Sequence, residues 1–273
     1  MSEAPIGVFD SGVGGLTVLR ALMSELPSER FVYLGDTARL PYGTKSRETV
    51  ARYAVQAAEA LVEYGIKSLV VACNTASAVG LPCIRERFES LQVSGVIEPG
   101  AEAACAASKS GHIAVIGTEG TIRGGAYQEA VQRRRSDARL VAIPAQLFVA
   151  LAEEGITEGP IAESVARHYL GNLFDASASA GEHPDTLVLG CTHFPMLAGV
   201  IRKIVGPDVT LVDSAQTTAQ SVHAILASRN EVRRTGRGEV KFLATDGADR
   251  FARVGGRFLG RPVASQDVEL INL

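Results

Sequence analysis

Two cysteines stand where an apolar run turns polar: Cys73 in VVACNTAS (70–77) and Cys191 in LVLGCTHF (187–194). A free thiol with a pKa of about 8.5 is only slightly ionised at neutral pH, so a reactive one needs a helix N-terminus, a cation or a hydrogen-bonded partner. Both positions offer such help. Asn74 and Thr75 are suited to cap a following helix, Thr192 likewise, and His193 lies two residues beyond Cys191. Taken singly, each cysteine reads as a small buried hydrophobe. The matching polar followers favour chemistry at both, and the helix ends should favour the thiolate forms. Cys83 and Cys105 fall within helical patterns and read as packing.

A third polar junction is DSGVGG (10–15), a glycine-rich strand-to-helix turn. It fits a dinucleotide fingerprint poorly, although Asp36 ends the next strand: the third glycine of G-x-G-x-x-G falls on Thr17, and Asp10 would set a negative charge beside the pyrophosphate. The turn suits a small zwitterion better, with Asp10 meeting an ammonium group and free backbone amides meeting a carboxylate. PYG (41–43) reads either as an ordinary turn or as the edge of a lid. Glu153 and Glu154 end a helical pattern, where the helix dipole does not favour carboxylates, so they are either solvated or present for their charge. His112, His168, His183 and His223 show no metal-ligand spacing, and no metal is expected. None of Lys45, Lys67, Lys109, Lys203 and Lys241 sits at these strand ends, which gives no support to a pyridoxal Schiff base.

A thiol beside His193 is compatible with a cysteine hydrolase, in which imidazole activates a nucleophile. That reading leaves the other thiol without a role. A reaction that removes a proton from one face of a carbon and returns one to the opposite face employs both. A binding protein that holds a carboxylate without turning it over is the third alternative.

The elements that would position these residues are strands alternating with helices. Short apolar runs at 6–9, 31–34, 68–72, 93–97, 113–117, 139–143, 186–190, 209–212 and 240–244 read as strands, which predicts parallel sheets flanked by helices. Leu16, Leu19, Leu22, Met23 and Leu26 form one helical stripe, and Val50, Tyr53, Ala54, Ala57, Leu61 and Tyr64 another. Asp10 and then Cys73, Thr118 and then Cys191, are polar strand ends in the same succession. The expected architecture is therefore α/β, with two similar parallel-sheet domains facing each other across an active-site cleft. EPG (98–100) and GPD (206–208) mark the crossing points, giving a first domain of 1–98 plus 208–273 and an inserted second domain of 99–207. Ligands of such sheets sit beyond the carboxyl ends of the strands.

At 273 residues and 46% apolar composition the chain can bury a sizeable core. A net charge of −3 recommends neither nucleic acid nor an anionic membrane as partner. The basic run Arg133–Arg135 reads as a solvated helix face. No apolar run approaches a bilayer span, and MSEAPIGVFD lacks a basic leader with an apolar stretch, so a soluble, cytoplasmic protein with free thiols is expected.

FDSGVGG, PYG, ACNTAS and GCTHF, in this order over nearly the whole chain, closely resemble the glutamate racemases, cofactor-independent amino-acid racemases. The resemblance implies two α/β domains with the active site between them, a homodimer, no cofactor, and interconversion of L- and D-glutamate for bacterial peptidoglycan. It implies that Cys73 and Cys191 exchange protons with Cα, Cys73 on the D face and Cys191 on the L face. Asp10 would assist near Cys73 and His193 near Cys191, with Glu153 as the assisting glutamate and Glu154 its neighbour. Ser11, Tyr42, Gly43, Asn74, Thr75 and Thr192 match substrate-contacting positions, to which Thr118 and Thr121 of GTEGT are added. PAQLF stands where many members carry a Cys-Pro pair. A racemase for aspartate shares the same chemistry, and PYG favours glutamate by resemblance.

Overall fold

The computed structural model describes residues 2–174 and 183–273. Its elements run β1 (Ile6–Asp10), α1 (Leu16–Glu25), β2 (Arg30–Gly35), α2 (Arg47–Val62), β3 (Ser68–Val71), α3 (Asn74–Val79), α4 (Leu81–Arg87) and β4 (Gln92–Gly95). Then come α5 (Ile97–Ala107), β5 (His112–Gly117), α6 (Glu119–Arg123), α7 (Ala126–Arg134), β6 (Arg139–Pro144), α8 (Leu147–Glu154), α9 (Gly159–Leu170) and β7 (Thr186–Gly190). The chain ends with α10 (Ala198–Val205), β8 (Thr210–Asp213), α11 (Ser214–Ser228), β9 (Glu239–Ala244), α12 (Ala248–Leu259) and β10 (Val268–Leu270).

Among the described residues all strand pairings are parallel and make two sheets, one of six strands ordered β10-β9-β2-β1-β3-β4 and one of four ordered β6-β5-β7-β8. The second sheet repeats the order of β2-β1-β3-β4, so β1 corresponds to β5 and β3 to β7. The expected α/β architecture of two similar parallel-sheet domains is present, and the internal correspondence that the sequence only suggested is explicit in the strand order.

Helices cover both faces of the sheets, which is why their central strands read as continuous apolar runs. In β1 the period-two alternation sends Ile6 and Val8 to one core and Phe9 to the other. The first core continues through Leu16, Leu19 and Leu22 of α1, Ala219 and Val222 of α11, and Ile113 and Val115 of β5, so it runs across both domains. The second core packs Val50, Ala54, Ala57 and Leu61 of α2 on the opposite face of the six-stranded sheet.

Helix ends follow local chemistry. Ser46 caps α2 by accepting the Thr49 N–H at 3.3 Å, and Asp213 caps α11 by accepting the Ala215 N–H at 2.8 Å. Gly155, with φ of 77°, ends α8 directly after Glu154 in a conformation that favours glycine.

Two sequence expectations change, and one strand is added to those expected. EPG lies within the first turn of α5, where proline is tolerated because its missing N–H would have no helical partner. The chain also does not leave the second sheet at 206–208: Thr210–Asp213 continues it as β8, paired with β7, and the return comes through α11. The short edge strand β10, paired with β9, carries no apolar run that would have revealed it, since Glu269 and Leu270 are exposed. Arg133 and Arg134 lie on the surface of α7 and pair with Glu98, as a solvated face would.

Candidate active site

The carboxyl ends of β1 and β3 face those of β5 and β7, and their loops meet in one cavity of about 50 Å³. A water needs roughly 10–15 Å³ of such space, so the cavity suits one small solute and excludes a dinucleotide. Ser11, Tyr42, Gly43, Cys73, Asn74, Thr75, Thr118, Glu153, Cys191, Thr192 and His193 all line it, both cysteines included. Asp10 and Thr121, expected to touch a ligand, do not form its wall. Both are buried behind it, because Asp10 folds back under its own turn and Thr121 points from α6 toward two other threonines.

On the first-domain side, Cys73 is itself the cap of α3. Its Sγ accepts the Ala76 N–H at 3.4 Å and lies 3.5 Å from Ser11 Oγ. The capping role expected of Asn74 and Thr75 is thus taken by the thiol. The expected thiolate stabilisation is also reversed: burial, followed by the negative charge of Asp10, pushes the Cys73 thiol up to about 12, and the contacts to Ser11 and Ala76 offset this only in part. Asp10 Oδ2 accepts the Gly12 N–H at 2.9 Å. Burial raises the Asp10 carboxyl above its ordinary range, while the charge of His193 and the amides of its own turn pull it down. Among the described residues Asp10 Oδ1 and Asn74 Nδ2 are buried without a partner, and of the two only Asn74 belongs to the cavity wall, where its amide nitrogen is left for a ligand.

Across the cavity, His193 Nδ1 lies 3.8 Å from Cys191 Sγ and 3.4 Å from Thr192 Oγ1, and Nε2 lies 3.2 Å from Glu153 Oε1. Burial disfavours an imidazolium here, but Cys191, Glu153 and Asp10 together outweigh it and hold His193 up at about 10. Glu153 is held down at about 2, chiefly by its hydrogen bond to His193 and further by Arg250. Glu154 is exposed, so of the adjacent pair only Glu153 reaches the site. Thr192 caps no helix: a 3-10 turn, Phe194–Leu197, follows, and the Thr192 carbonyl instead accepts from Thr17 Oγ1 at 3.0 Å.

The two halves are joined by further polar contacts. Thr75 Oγ1 lies 2.9 Å from Thr118 Oγ1 and 3.2 Å from Thr121 Oγ1, which are 3.0 Å apart, forming a closed triangle of hydroxyls. Tyr127 donates to Asn74 Oδ1 at 2.9 Å, fixing the amide whose nitrogen remains free. Gly14 has no room for a side chain, since a Cβ there would fall 2.4 Å from both His193 Cε1 and Thr192 Oγ1. Asp36 is a structural anchor: it accepts from Arg39 Nε at 2.6 Å, from Thr245 Oγ1 at 2.9 Å and from the Tyr42 hydroxyl, and so fastens the PYG turn over the cavity.

Gln146 and Val149 also line the cavity and were missed in the sequence. Their signal was present, since 146, 149 and 153 share one face of a helix. Gln146 Oε1 is buried and unpartnered. Leu40, directly before the PYG turn, carried no comparable signal. Among the described residues no Lys or Arg lines the cavity, so an anionic group inside it would be met by amides, hydroxyls and the imidazole of His193.

Two α/β domains of matching strand order that bring Cys73 and Cys191 to one cavity define an amino-acid racemase by class. The chain belongs to the Asp/Glu/Hydantoin racemase family, which it matches over residues 10–222. It is 50% identical to the glutamate racemase of Geobacter metallireducens over 256 residues, covering 93% of this chain and 92% of that one. Among solved structures, the glutamate racemase of Francisella tularensis in complex with D-glutamate is similar with a TM-score of 0.89 at 35% identity, covering 100% of this chain and 98% of that one. A glutamate racemase of Bacillus anthracis gives a TM-score of 0.92 at 34% identity, covering 100% and 99%.

Proposed function

We propose that this protein is a glutamate racemase that inverts Cα by two-base proton transfer between Cys73 and Cys191. The observation that carries the reading is that Cys73 and Cys191 line a single small cavity from the ends of equivalent strands of the two domains. One sulfur, as thiolate, takes the Cα proton and becomes a thiol; the other, as thiol, gives its proton to the opposite face and becomes a thiolate. The atoms balance without any further reactant. Cys191 acts on the L enantiomer and Cys73 on the D enantiomer.

A Cα proton is far less acidic than a thiol, so thiolate basicity alone does not account for turnover. The developing negative charge on the α-carboxylate has to be met by preorganised donors in a site closed to water. Asn74 Nδ2 and the hydroxyls of Ser11, Thr75, Thr118 and Thr192 are the neutral donors available. Asp10, buried behind the wall, acts on Cys73 through its charge, and His193, held by Glu153, serves Cys191. Tyr42 and Gly43 close the cavity from the PYG turn. Glutamate rather than aspartate is favoured by the glutamate racemases among the relatives. The same reading makes the protein a cytoplasmic homodimer that supplies D-glutamate for peptidoglycan.

The test is turnover of L- and D-glutamate in heavy water, followed by circular dichroism and by mass at Cα. Inversion with one deuterium incorporated per event is expected, with Cys73→Ala and Cys191→Ala each losing racemisation at least about 10³-fold, as for removal of an essential acid or base. Near-normal racemisation in either single variant rejects the mechanism, and turnover of aspartate but not glutamate rejects the substrate.

A further inference from the structure

Helix α12 lies between β9 and β10 of the six-stranded sheet, yet three of its side chains reach the His193–Glu153 pair of the other domain. Arg250 Nη2 donates to Glu153 Oε2 at 2.9 Å, and Arg257 Nη2 donates to the Glu153 carbonyl at 2.8 Å. Phe258 stands edge-on against the His193 ring, with centroids 5.1 Å apart and planes at 73°. Residues 250, 257 and 258 fall on one face of a helix, so a single docking event delivers all three contacts.

Glu153 consequently has its two carboxylate oxygens on opposite domains. Oε1 accepts from the imidazole of its own domain, and Oε2 accepts from Arg250 of the other. A carboxylate held at one oxygen rotates about its terminal torsion, which is broad and poorly restrained by itself. Engaging the second oxygen with a guanidinium fixes the plane of the group and therefore the direction in which it holds the imidazole. Arg250 does not line the cavity, so it acts through Glu153 rather than on a ligand.

We propose that Arg250 is a positioning residue for the Cys191 half of the reaction. By clamping Glu153 from across the domain boundary, it sets the His193 ring beside the Cys191 sulfur, so that docking of the domains and readiness of this proton-transfer arm are one event. The inference rests on the two-base reading above.

The experiment compares the full-length protein with Arg250→Gln, Arg250→Lys and, as background, His193→Asn. Arg250→Gln should lower kcat about tenfold with KM within about twofold, the scale of one charged hydrogen bond; Arg250→Lys should recover most of the loss. Since the two enantiomers are equal in free energy, kcat/KM must fall equally in both directions. The primary isotope effects need not. With Cα-deuterated substrates the effect should grow for L-glutamate, deprotonated by Cys191, and shrink for D-glutamate, because the Cys191 step becomes more rate-limiting in both directions. In the His193→Asn background, Arg250→Gln should add no further loss. Unchanged kcat, isotope effects that move together, or an undiminished loss in the His193→Asn background each overturn the proposal. Retained racemisation in Cys73→Ala or Cys191→Ala would instead overturn the two-base reading, whatever Arg250 does.

Discussion

His193 Nδ1 lies 3.8 Å from Cys191 Sγ, while the nearest polar side-chain partner of Cys73 Sγ is a neutral hydroxyl, Ser11 Oγ at 3.5 Å. Charge sharpens the contrast: Cys73 feels the carboxyl of Asp10, and Cys191 adjoins an imidazole that Glu153 helps to keep protonated. Two cysteines from equivalent strands therefore start from different electrostatic settings, and the reactions of the thiols should expose the difference.

Alkylation tests that difference directly. Cys83 is exposed and should be labelled first by iodoacetamide, while Cys73, pushed up to about 12 from an ordinary 9.0, should carry on the order of a thousandfold less thiolate than an ordinary thiol at pH 8. Peptide mass spectrometry across a pH series reads this. A Cys73 labelling midpoint near pH 9 in the unliganded protein would contradict it.

The Glu153–His193 pair has a defined pH window. Glu153 is lowered from 4.5 to about 2, so its contribution to stability is present above pH 4.5 and fades as pH falls toward 2. His193 is raised from 6.5 to about 10, so its contribution is present below pH 6.5 and fades as pH rises toward 10. Glu153→Gln should therefore lose most stability, about 2 kcal/mol, between pH 4.5 and 6.5, with the deficit shrinking on either side. Thermal unfolding of both proteins from pH 3 to 10 measures it; a pH-independent deficit would show the pair to be uncharged.

Gly14→Ala should damage the site more than the fold. The new methyl would stand 2.4 Å from His193 Cε1 and Thr192 Oγ1 and force one of them to move, at about 1–3 kcal/mol. A tenfold or greater loss of kcat is expected, roughly the same energy expressed as rate. Gly199→Ala, where a Cβ meets nothing within 4 Å, is the control and should stabilise α10 by about 1 kcal/mol.

Thr121→Val removes one corner of the hydroxyl triangle while leaving Thr75 and Thr118 2.9 Å apart. Since Thr121 is fully buried and off the cavity wall, a loss of about 1 kcal/mol in stability and a small rise in KM with kcat maintained are expected. Urea unfolding and steady-state kinetics decide. A collapse of kcat would place Thr121 in contact with substrate after all.

Much of the fold was legible before any coordinates. Runs such as LVVA and LVLG are buried on both sheet faces and had to be continuous, and the stripe through Leu16, Leu19 and Leu22 had to face them. The edge strand β10 was not legible because its pairing with β9 places little apolar surface out of water. Gln146 and Val149 were not named from the sequence, although helix spacing from an inward-pointing Glu153 carried the signal.

The amino-acid order alone determined the alternation of strands and helices, the strand ends at which Asp10, Cys73, Thr118 and Cys191 stand, and the motifs that mark the family. These are properties of near neighbours, set by periodicities of two and 3.6 residues and by the chemistry of turns. Only the tertiary structure decided that Cys73 and Cys191 line one cavity, that burial and Asp10 raise Cys73 where a helix end would lower it, and that α12 reaches across to hold Glu153. Those outcomes depend on desolvation and on packing between segments a hundred residues apart, and no local pattern carries either.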